Sequence, residues 1–367
     1  MHLQMACPHQ ILTDRCRAPA SRCKPRPAMR KLGRWTVFLT TALLGIAAQA
    51  ESFRLPTSNH ALFEPGGEER FFAPTPGKPW TTGCFGCVRS DGMQMHEGLD
   101  IKSIQHDAKG EPTDPVCATA PGTVVYINTK PGLSTFGRYI VIRHVIDGLE
   151  VYSTYAHLRS VRDGLAAGQH VDGGEVIGVM GRSSSSPGAI SKDRAHLHFE
   201  LGLLLNEHFA AWYKKTFPDQ RNDHGMWNGQ NLLGLDPRDI FLLQRKHGPN
   251  FSLLDYVRRQ TELCRVFVRA TDFPWLKRYP QLIRQNQIAQ TEGVAGYELA
   301  LNFNGIPFEL IPRAPSELKT RARFQLLSLN EAELCRNPCR KLVTRRNGKW
   351  QLADNGVHLL ELLTYQP

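Results

Sequence analysis

Short runs of β-forming residues, several with alternating apolar and polar positions, recur over about residues 81–205 and predict a series of β-strands. Glycine-containing turns separate the runs, and the Asp147-Gly148 pair is typical of a hairpin turn. The predicted strands lie within residues 116–128, 139–144, 149–158, 171–180 and 196–205. No long helical period interrupts this region, so we expect a compact antiparallel β-sheet domain.

The pattern is less regular after residue 205, and neither an internal repeat nor a chemical motif follows residue 250. The elements predicted there are a helix around 209–213, a turn at 231–237, an amphipathic helix at 252–268 and a hairpin at 297–311. We therefore predict a mainly β fold in which the antiparallel domain, at 81–245, carries a helical and loop addition. A small α+β or β accessory domain of unknown role is expected at 250–367, and an extended lead-in at 51–80.

Residues 29–50 have the pattern of an export signal. A basic start at Met29 precedes an apolar segment, and Ala48-Gln49-Ala50 is typical of a cleavage site. The mature chain is then expected to begin at Glu51, although an uncleaved anchor is the alternative. Residues 1–28 are an unusual, doubtful upstream segment, and we expect translation to start at Met29.

The formal charge of +11 would suggest a nucleic-acid partner if it were spread along the chain. Residues 1–50 hold eight Lys/Arg against one acid, so the remaining chain carries only +4. We therefore expect no nucleic-acid partner. The small positive excess weakly favours an anionic polymer.

Six cysteines follow the predicted cleavage site, three on each side of residue 250. An even number in an exported chain predicts disulfides, and complete pairing would require at least one bridge between the two halves. The C-x-x-C formed by Cys84 and Cys87 indicates a structural disulfide rather than redox or zinc chemistry outside the cytosol.

Three histidine motifs lie among the predicted strands: H-x-x-x-D at His96 and Asp100, Y-A-H-L at His157, and H-x-H at His196 and His198. Alternation along a strand places the two histidines of H-x-H on one face, about 7 Å apart. Zinc accepts imidazole nitrogen and carboxylate oxygen, and a catalytic site keeps three protein ligands plus water. His96, Asp100 and one histidine of the H-x-H pair supply such a set, and the remaining histidines are suited to proton transfer.

Over residues 90–205 the sequence resembles the M23 peptidases, the lysostaphin- and LytM-like zinc endopeptidases. The matching stretches are 96–101, 118–125, 155–158, 168–178 and 196–200. The resemblance implies one zinc ion held by His96, Asp100 and His198, with His157 and His196 as catalytic residues. Ala195 stands where the family usually has proline, and serines occupy 183–186 where glycine is common. These departures alter the groove rim but remove no implied ligand.

The function expected from this resemblance is zinc-dependent hydrolysis of peptide bonds in bacterial peptidoglycan. We expect the enzyme to be periplasmic or extracellular and to have no membrane span after signal cleavage. The bond could belong to a stem-peptide cross-link or to a glycine bridge. One alternative is a non-catalytic regulator of other wall hydrolases, which would lack a ligand. The other is a wall-binding module with a structural zinc, which would normally have four protein ligands.

The other histidines lack a partner motif. We expect a structural role for His144 and a solvated or packed position for His106, His170, His208 and His224. Glu97 is expected at the surface or in support of a ligand, because this H-E lacks the H-E-x-x-H spacing. The glycines of 168–181 do not form a phosphate-binding motif.

Overall fold

The computed structural model describes residues 52–186, 188–319 and 321–367. These belong to one compact unit, Ala50–Pro367. The predicted export signal at 29–50 and the upstream segment at 1–28 lie outside the described residues. In the part of the chain that is described, no helix has the length and apolar character needed to cross a membrane.

The first half of the described chain is built from short strands. They are β1 Gly86–Arg89, β2 Gln94–His96, β3 Leu99–Lys102, β4 Pro115–Cys117, β5 Gly122–Asn128, β6 Tyr139–Ile146, β7 Leu149–Ala156, β8 Ser160–Val161, β9 His170–Val171, β10 Val176–Val179, β11 His196–Leu204 and β12 Leu232–Leu235. The main sheet has the order β12-β11-β7-β6-β5-β9, and β3 also pairs with β11. Its ladders are all antiparallel, which confirms the predicted fold class. Two smaller sheets, β4-β10-β8 and β1-β2, lie beside it.

The turn between β6 and β7 was predicted from Asp147 and Gly148. Both residues have positive φ, 51° and 73°, as a two-residue type I′ hairpin turn requires. The turn matches the right-handed twist of the two strands and therefore sets their register, in which Ile146 lies opposite Leu149.

β11 is buried along its whole length. Leu197, Phe199 and Leu201 alternate along it and are fully buried in the main apolar core. The polar residues of the strand point the other way, because successive side chains leave opposite faces. One face of β11 therefore packs the core, and the other presents polar groups that must find partners.

Two predictions beyond β11 were wrong. Residues 231–237 were predicted as a turn, but β12 forms there and pairs with the second half of β11. The helix predicted at 252–268 ends at Arg258, and residues Cys264–Val268 form a strand between two others. Valine and phenylalanine favour this strand, and tertiary pairing outweighs the helical spacing.

The remaining elements combine helices with antiparallel strands. They are α1 Glu68–Phe71, α2 Phe209–Thr216, α3 Pro237–His247, α4 Leu253–Arg258, β13 Cys264–Val268, α5 Pro274–Arg278, α6 Gln287–Glu292, β14 Gly296–Leu301, β15 Pro307–Arg313, β16 Phe324–Leu329, α7 Glu331–Arg336, β17 Val343–Arg346, β18 Lys349–Leu352 and α8 Asp354–Leu363. A four-stranded sheet has the order β15-β14-β13-β16. β14 and β15 form the predicted hairpin around Asn304 and Gly305. Residues from both halves of the chain contribute to one continuous apolar cluster.

The lead-in at 51–80 packs against the rest of the unit. Phe53, Phe71 and Phe72 are buried in the main core. Gln244 of α3 bonds both backbone groups of Phe53, accepting from its N–H at 2.8 Å and donating to its carbonyl at 2.6 Å. This segment therefore contributes to the stability of the unit.

A disulfide joins Cys87 on β1 to Cys339 and links the two halves of the chain, which confirms that the cysteines form disulfides. The pairing is not complete, because Cys84, Cys117 and Cys264 are free thiols. Burial raises the pKa of Cys84 to about 12, which makes this thiol unreactive at neutral pH. The C-x-x-C therefore contributes one cysteine to a long-range bridge and does not form an internal one.

Candidate metal centre

The candidate centre is built on the polar face of β11. His196 and His198 point to this face, two positions apart on the strand. β3 pairs with the first half of β11 and places Asp100 opposite His198. β7 pairs on the other side and ends one residue before His157. The antiparallel register thus brings three separate motifs to one place.

Gly98 allows the chain between β2 and β3 to lie against β11. A Cβ atom at this position would be 2.2 Å from the carbonyl oxygen of Phe199 and 2.9 Å from the side chain of Glu200. The first contact is with the backbone of a central strand, which cannot move aside. Glycine therefore lets His96 and Asp100 approach the same point.

The donor atoms of His96, Asp100 and His198 converge. His96 Nε2 lies 3.1 Å from Asp100 Oδ1, and His198 Nδ1 lies 3.0 Å from the same oxygen. The two ring nitrogens are 3.2 Å apart, and one ligand atom from each residue fits within 4.8 Å of the others. All three side chains are buried. Two imidazole nitrogens and one carboxylate oxygen are a donor set that suits zinc, and three protein ligands leave a position for water.

Each of these side chains is held by a further polar contact. His96 Nδ1 faces the carbonyl oxygen of Cys84 at 2.7 Å, and His198 Nε2 faces Glu200 Oε1 at 2.8 Å. Arg89 forms an ion pair with Asp100 through Oδ2. If these ring nitrogens carry the protons, His96 Nε2, His198 Nδ1 and Asp100 Oδ1 are left free to accept a metal.

Sequence reasoning gave no role to Glu200 or Arg89. Glu200 stands two positions after His198 on the same strand, so alternation alone places it on the same face. That signal was available in the sequence. Arg89 lies on β1, eleven positions before Asp100, and no local pattern connects the two residues.

Electrostatics at the centre favour a positive charge. Burial lowers the pKa of His198, but hydrogen bonds to Asp100 and Glu200 outweigh this effect and raise it to about 10. Burial raises the pKa of Asp100, but His196 and His96 and its hydrogen bonds hold it well below the usual range. Two buried carboxylates around one imidazole thus create a place where a cation is stabilised, which is consistent with a metal site.

His157 and His196 lie next to this group. Their ring centroids are 5.0 Å apart, and His196 Nε2 lies 3.5 Å from Asp100 Oδ1. His157 Nδ1 faces the carbonyl oxygen of Ser183 at 2.9 Å, and His196 Nδ1 faces that of Arg194 at 2.7 Å. Because a carbonyl only accepts, each Nδ1 donates, and each neutral ring keeps Nε2 as an acceptor.

Burial is the largest cause of the pKa shifts of these two histidines. It lowers the pKa of His157 to about 3, and it lowers that of His196 as well. Both rings are therefore neutral at pH 7, the form that accepts a proton. His157 also has a φ of 62°, a left-handed conformation that is uncommon outside glycine and costs backbone energy.

A loop supported by the region after β11 covers one side of the centre. Phe136 stacks on His198 with a centroid distance of 5.3 Å. His224 Nε2 contacts the carbonyl oxygen of Leu133 in this loop at 3.1 Å, and His224 Nδ1 contacts Tyr126 Oη at 2.8 Å. His224 therefore has the packed position predicted for it.

His144 has the structural role expected of it, away from the centre. Its Nδ1 donates to the carbonyl of Pro121 at 2.9 Å, and its Nε2 accepts from Ser153 Oγ at 2.7 Å. Burial lowers the pKa of His144 to about 4. His106 and His170 are exposed, and His208 is partly exposed.

The family model described as Peptidase family M23 matches residues 94–208. This span contains the three candidate ligands and the two neighbouring histidines, His157 and His196. Residues 94–208 are therefore similar to an M23 peptidase domain. The match begins in β2 and ends just before α2, so the lead-in, α3 and everything after it lie outside the matched span. The similarity to the peptidase family model is confined to this span.

Solved structures similar to this chain include M23 proteins. One is a zinc-containing peptidase from Vibrio cholerae, with 27% identity over 29% of this chain and 26% of that chain, and a TM-score of 0.22. Another is the catalytic domain of the prophage-encoded M23 protein EnpA from Enterococcus faecalis, with 26% identity over 36% of this chain and 87% of that one, and a TM-score of 0.26. A third is a putative glycyl-glycine endopeptidase, lytM, from Ruminococcus gnavus, with 31% identity over 29% and 39% and a TM-score of 0.24.

The chain spans about a quarter of the length of the Vibrio protein and well under half of the Ruminococcus protein. A comparison with curated proteins found no match.

Proposed function

We propose that this protein is a zinc-dependent endopeptidase that hydrolyses peptide bonds in bacterial peptidoglycan. The observation that carries the proposal is the convergence of His96 Nε2, Asp100 Oδ1 and His198 Nδ1 beside two neutral histidines. In this proposal the first three residues bind one zinc ion, and His157 and His196 are catalytic. The peptidoglycan substrate follows from the resemblance of residues 94–208 to M23 peptidases.

A zinc ion held by these residues would supply Lewis acidity, which polarises a carbonyl oxygen and makes water more acidic. The chain supplies the proton transfers. His157 and His196 each present Nε2 as a proton acceptor on the same side of the centre, because each Nδ1 donates to a backbone carbonyl. One of the two removes the proton of the attacking water, and a protonated histidine then stabilises the oxyanion or donates to the leaving amine.

Export is part of the same proposal. A disulfide between residues 252 positions apart is typical of an oxidising compartment such as the periplasm or the cell exterior. The pattern at 29–50 agrees with this location. In this scheme residues 81–245 form the catalytic part, and 250–367 an accessory part.

Zinc content and release of soluble peptides from purified peptidoglycan, measured on the same samples, test the proposal. Unmutated protein is expected to hold about one zinc per chain and to release peptides. Asp100→Ala and His198→Ala should lose zinc and turnover together, whereas His157→Ala and His196→Ala should keep most zinc and lose most turnover. The control is His170→Ala, which alters an exposed histidine on β9.

Wild-type zinc content in Asp100→Ala would refute the ligand assignment. If the unmutated protein holds stoichiometric zinc but releases no peptide from any peptidoglycan type, the proposed peptidase activity is refuted and a non-catalytic role is left.

A further inference from the structure

A cavity of about 680 Å³ lies beside the candidate centre and is separate from it. Met95 and Glu97 line the cavity, and they flank His96 in sequence. Because side chains alternate along an extended chain, these two side chains leave the face opposite to the His96 ring. Phe136, which stacks on His198, also lines the cavity. The cavity therefore shares Phe136 with the surroundings of the metal centre, and none of His96, Asp100 and His198 lines it.

Arg340 brings a positive charge to this cavity from outside the span that matches the M23 family. It follows Cys339, whose Sγ lies 3.8 Å from Met95 Sδ and is bridged to Cys87. The Arg340 side chain is partly buried and, across residues 52–186, 188–319 and 321–367, has no hydrogen bond or ion pair of its own. Burial lowers the pKa of Arg340, and the Glu97 carboxylate opposes this effect. A partly buried guanidinium without a close counter-ion is costly, and an anionic ligand would relieve that cost.

Glu97 is the matching negative charge. Its carboxylate acts on Arg340 electrostatically, yet no side-chain nitrogen of Arg340 lies within 4.0 Å of a Glu97 carboxylate oxygen. The other cationic group of the cavity, Arg221, is already paired with Asp223 at 2.6 Å. Glu97 and Arg340 thus face one cavity as opposite charges with space between them.

We propose that the cavity binds an amino-acid zwitterion, with Arg340 binding the carboxylate and Glu97 the ammonium group. In such a zwitterion the carboxylate and the ammonium group are attached to the same carbon atom. One small ligand can therefore pair with Arg340 and Glu97 together. Guanidinium suits the first contact because its planar N–H groups match the two oxygens of a carboxylate. A ligand with only one of the two groups leaves one partly buried charge unpaired and should bind less tightly.

The test titrates the full chain with alanine, N-acetylalanine and alaninamide and follows binding by NMR. Alanine is expected to bind roughly 10- to 100-fold more tightly than either analogue, the ratio that one charge-assisted hydrogen bond provides. Arg340→Gln should remove the advantage over alaninamide, and Glu97→Gln the advantage over N-acetylalanine. The control is Arg221→Gln. Arg221 lines the same cavity but is already paired, so this variant should bind the three compounds as the unmutated protein does.

Two sources could supply this group: a free amino acid, or an amino-acid centre at the end of a peptide side chain. A second comparison uses two tripeptides, L-Ala-D-Glu-X, in which X is meso-diaminopimelate or lysine, so that they differ by one carboxylate. A preference for the diaminopimelate peptide that Arg340→Gln abolishes assigns the site to a peptide side chain. Binding of alanine without that preference assigns it to free amino acids.

Equal binding of the three alanine compounds, absence of binding, or binding that neither Arg340→Gln nor Glu97→Gln alters would overturn the proposal. The readout requires neither zinc nor turnover. Its failure therefore leaves the peptidase proposal untouched, and the reverse also holds.

Discussion

Replacing both Cys87 and Cys339 with alanine is expected to lower the free energy of unfolding by several kcal/mol. The bridge joins positions 252 residues apart. In the chain-entropy account, a loop of this size restricts the unfolded chain enough to contribute about 5.5 kcal/mol at 25 °C. That figure is a ceiling, because unfolded chains keep residual structure, and natural bridges typically contribute about 2–4 kcal/mol.

The folded state should change much less than the unfolded state. β1 remains paired with β2, with Gly86 opposite His96, and Arg89 still reaches Asp100. The apolar cluster shared by both halves also remains. Zinc content of the double variant should therefore stay close to that of the unmutated protein while its stability falls.

Urea unfolding followed by tryptophan fluorescence measures the loss, with zinc content determined on the same preparation. Cys117→Ala is the control, because Cys117 is a partly exposed free thiol. A loss no larger than that of the control would refute the reasoning, since it would mean that the unfolded chain keeps the two halves together without the bridge. A loss of zinc in folded double variant would instead show that the bridge shapes the centre.

Three further changes test other features. Glu200→Gln weakens the 2.8 Å contact to His198 Nε2 and should reduce zinc affinity by about 10- to 100-fold in a chelator competition, whereas a change below twofold would contradict this role. Gly98→Ala should lose zinc and be markedly less stable to urea, because its Cβ would lie 2.2 Å from a backbone oxygen; unchanged zinc content would show that the strands can separate at low cost. The His144 pKa of about 4 lies below its unfolded value of about 6.5, so the unfolded chain binds the extra proton and stability falls as pH drops through this window. The His144→Gln variant should lack this loss of stability, which is on the order of 3 kcal/mol. Urea midpoints that change with pH in the same way in the variant and the unmutated protein would refute this role of His144.

Local patterns predicted much of the β region. Alternation places side chains on two faces without reference to the rest of the chain, so β6, β7 and β11 were predicted close to where they lie. The Asp147-Gly148 turn was equally local. β12 and β13 were missed because each is a strand through its pairing with distant strands, and its own residues suit a turn or a helix as well.

For the candidate centre, too, the residues were predicted from local patterns and their arrangement was not. His96, Asp100, His157, His196 and His198 were named from motif and spacing, since the types of donor and their period are written along the chain. The register that places Asp100 opposite His198 depends on β3 pairing with β11.

The sequence by itself identified the side chains proposed to bind a metal, and it placed His196 and His198 on one face of a predicted strand. Only the tertiary structure decided the ion pair of Arg89 with Asp100, the neutral state of the two neighbouring histidines and the cavity between Glu97 and Arg340. The physical reason is range. Strand alternation acts between neighbours two residues apart, whereas burial, charge pairing and a bridge across 252 positions depend on which distant segments meet.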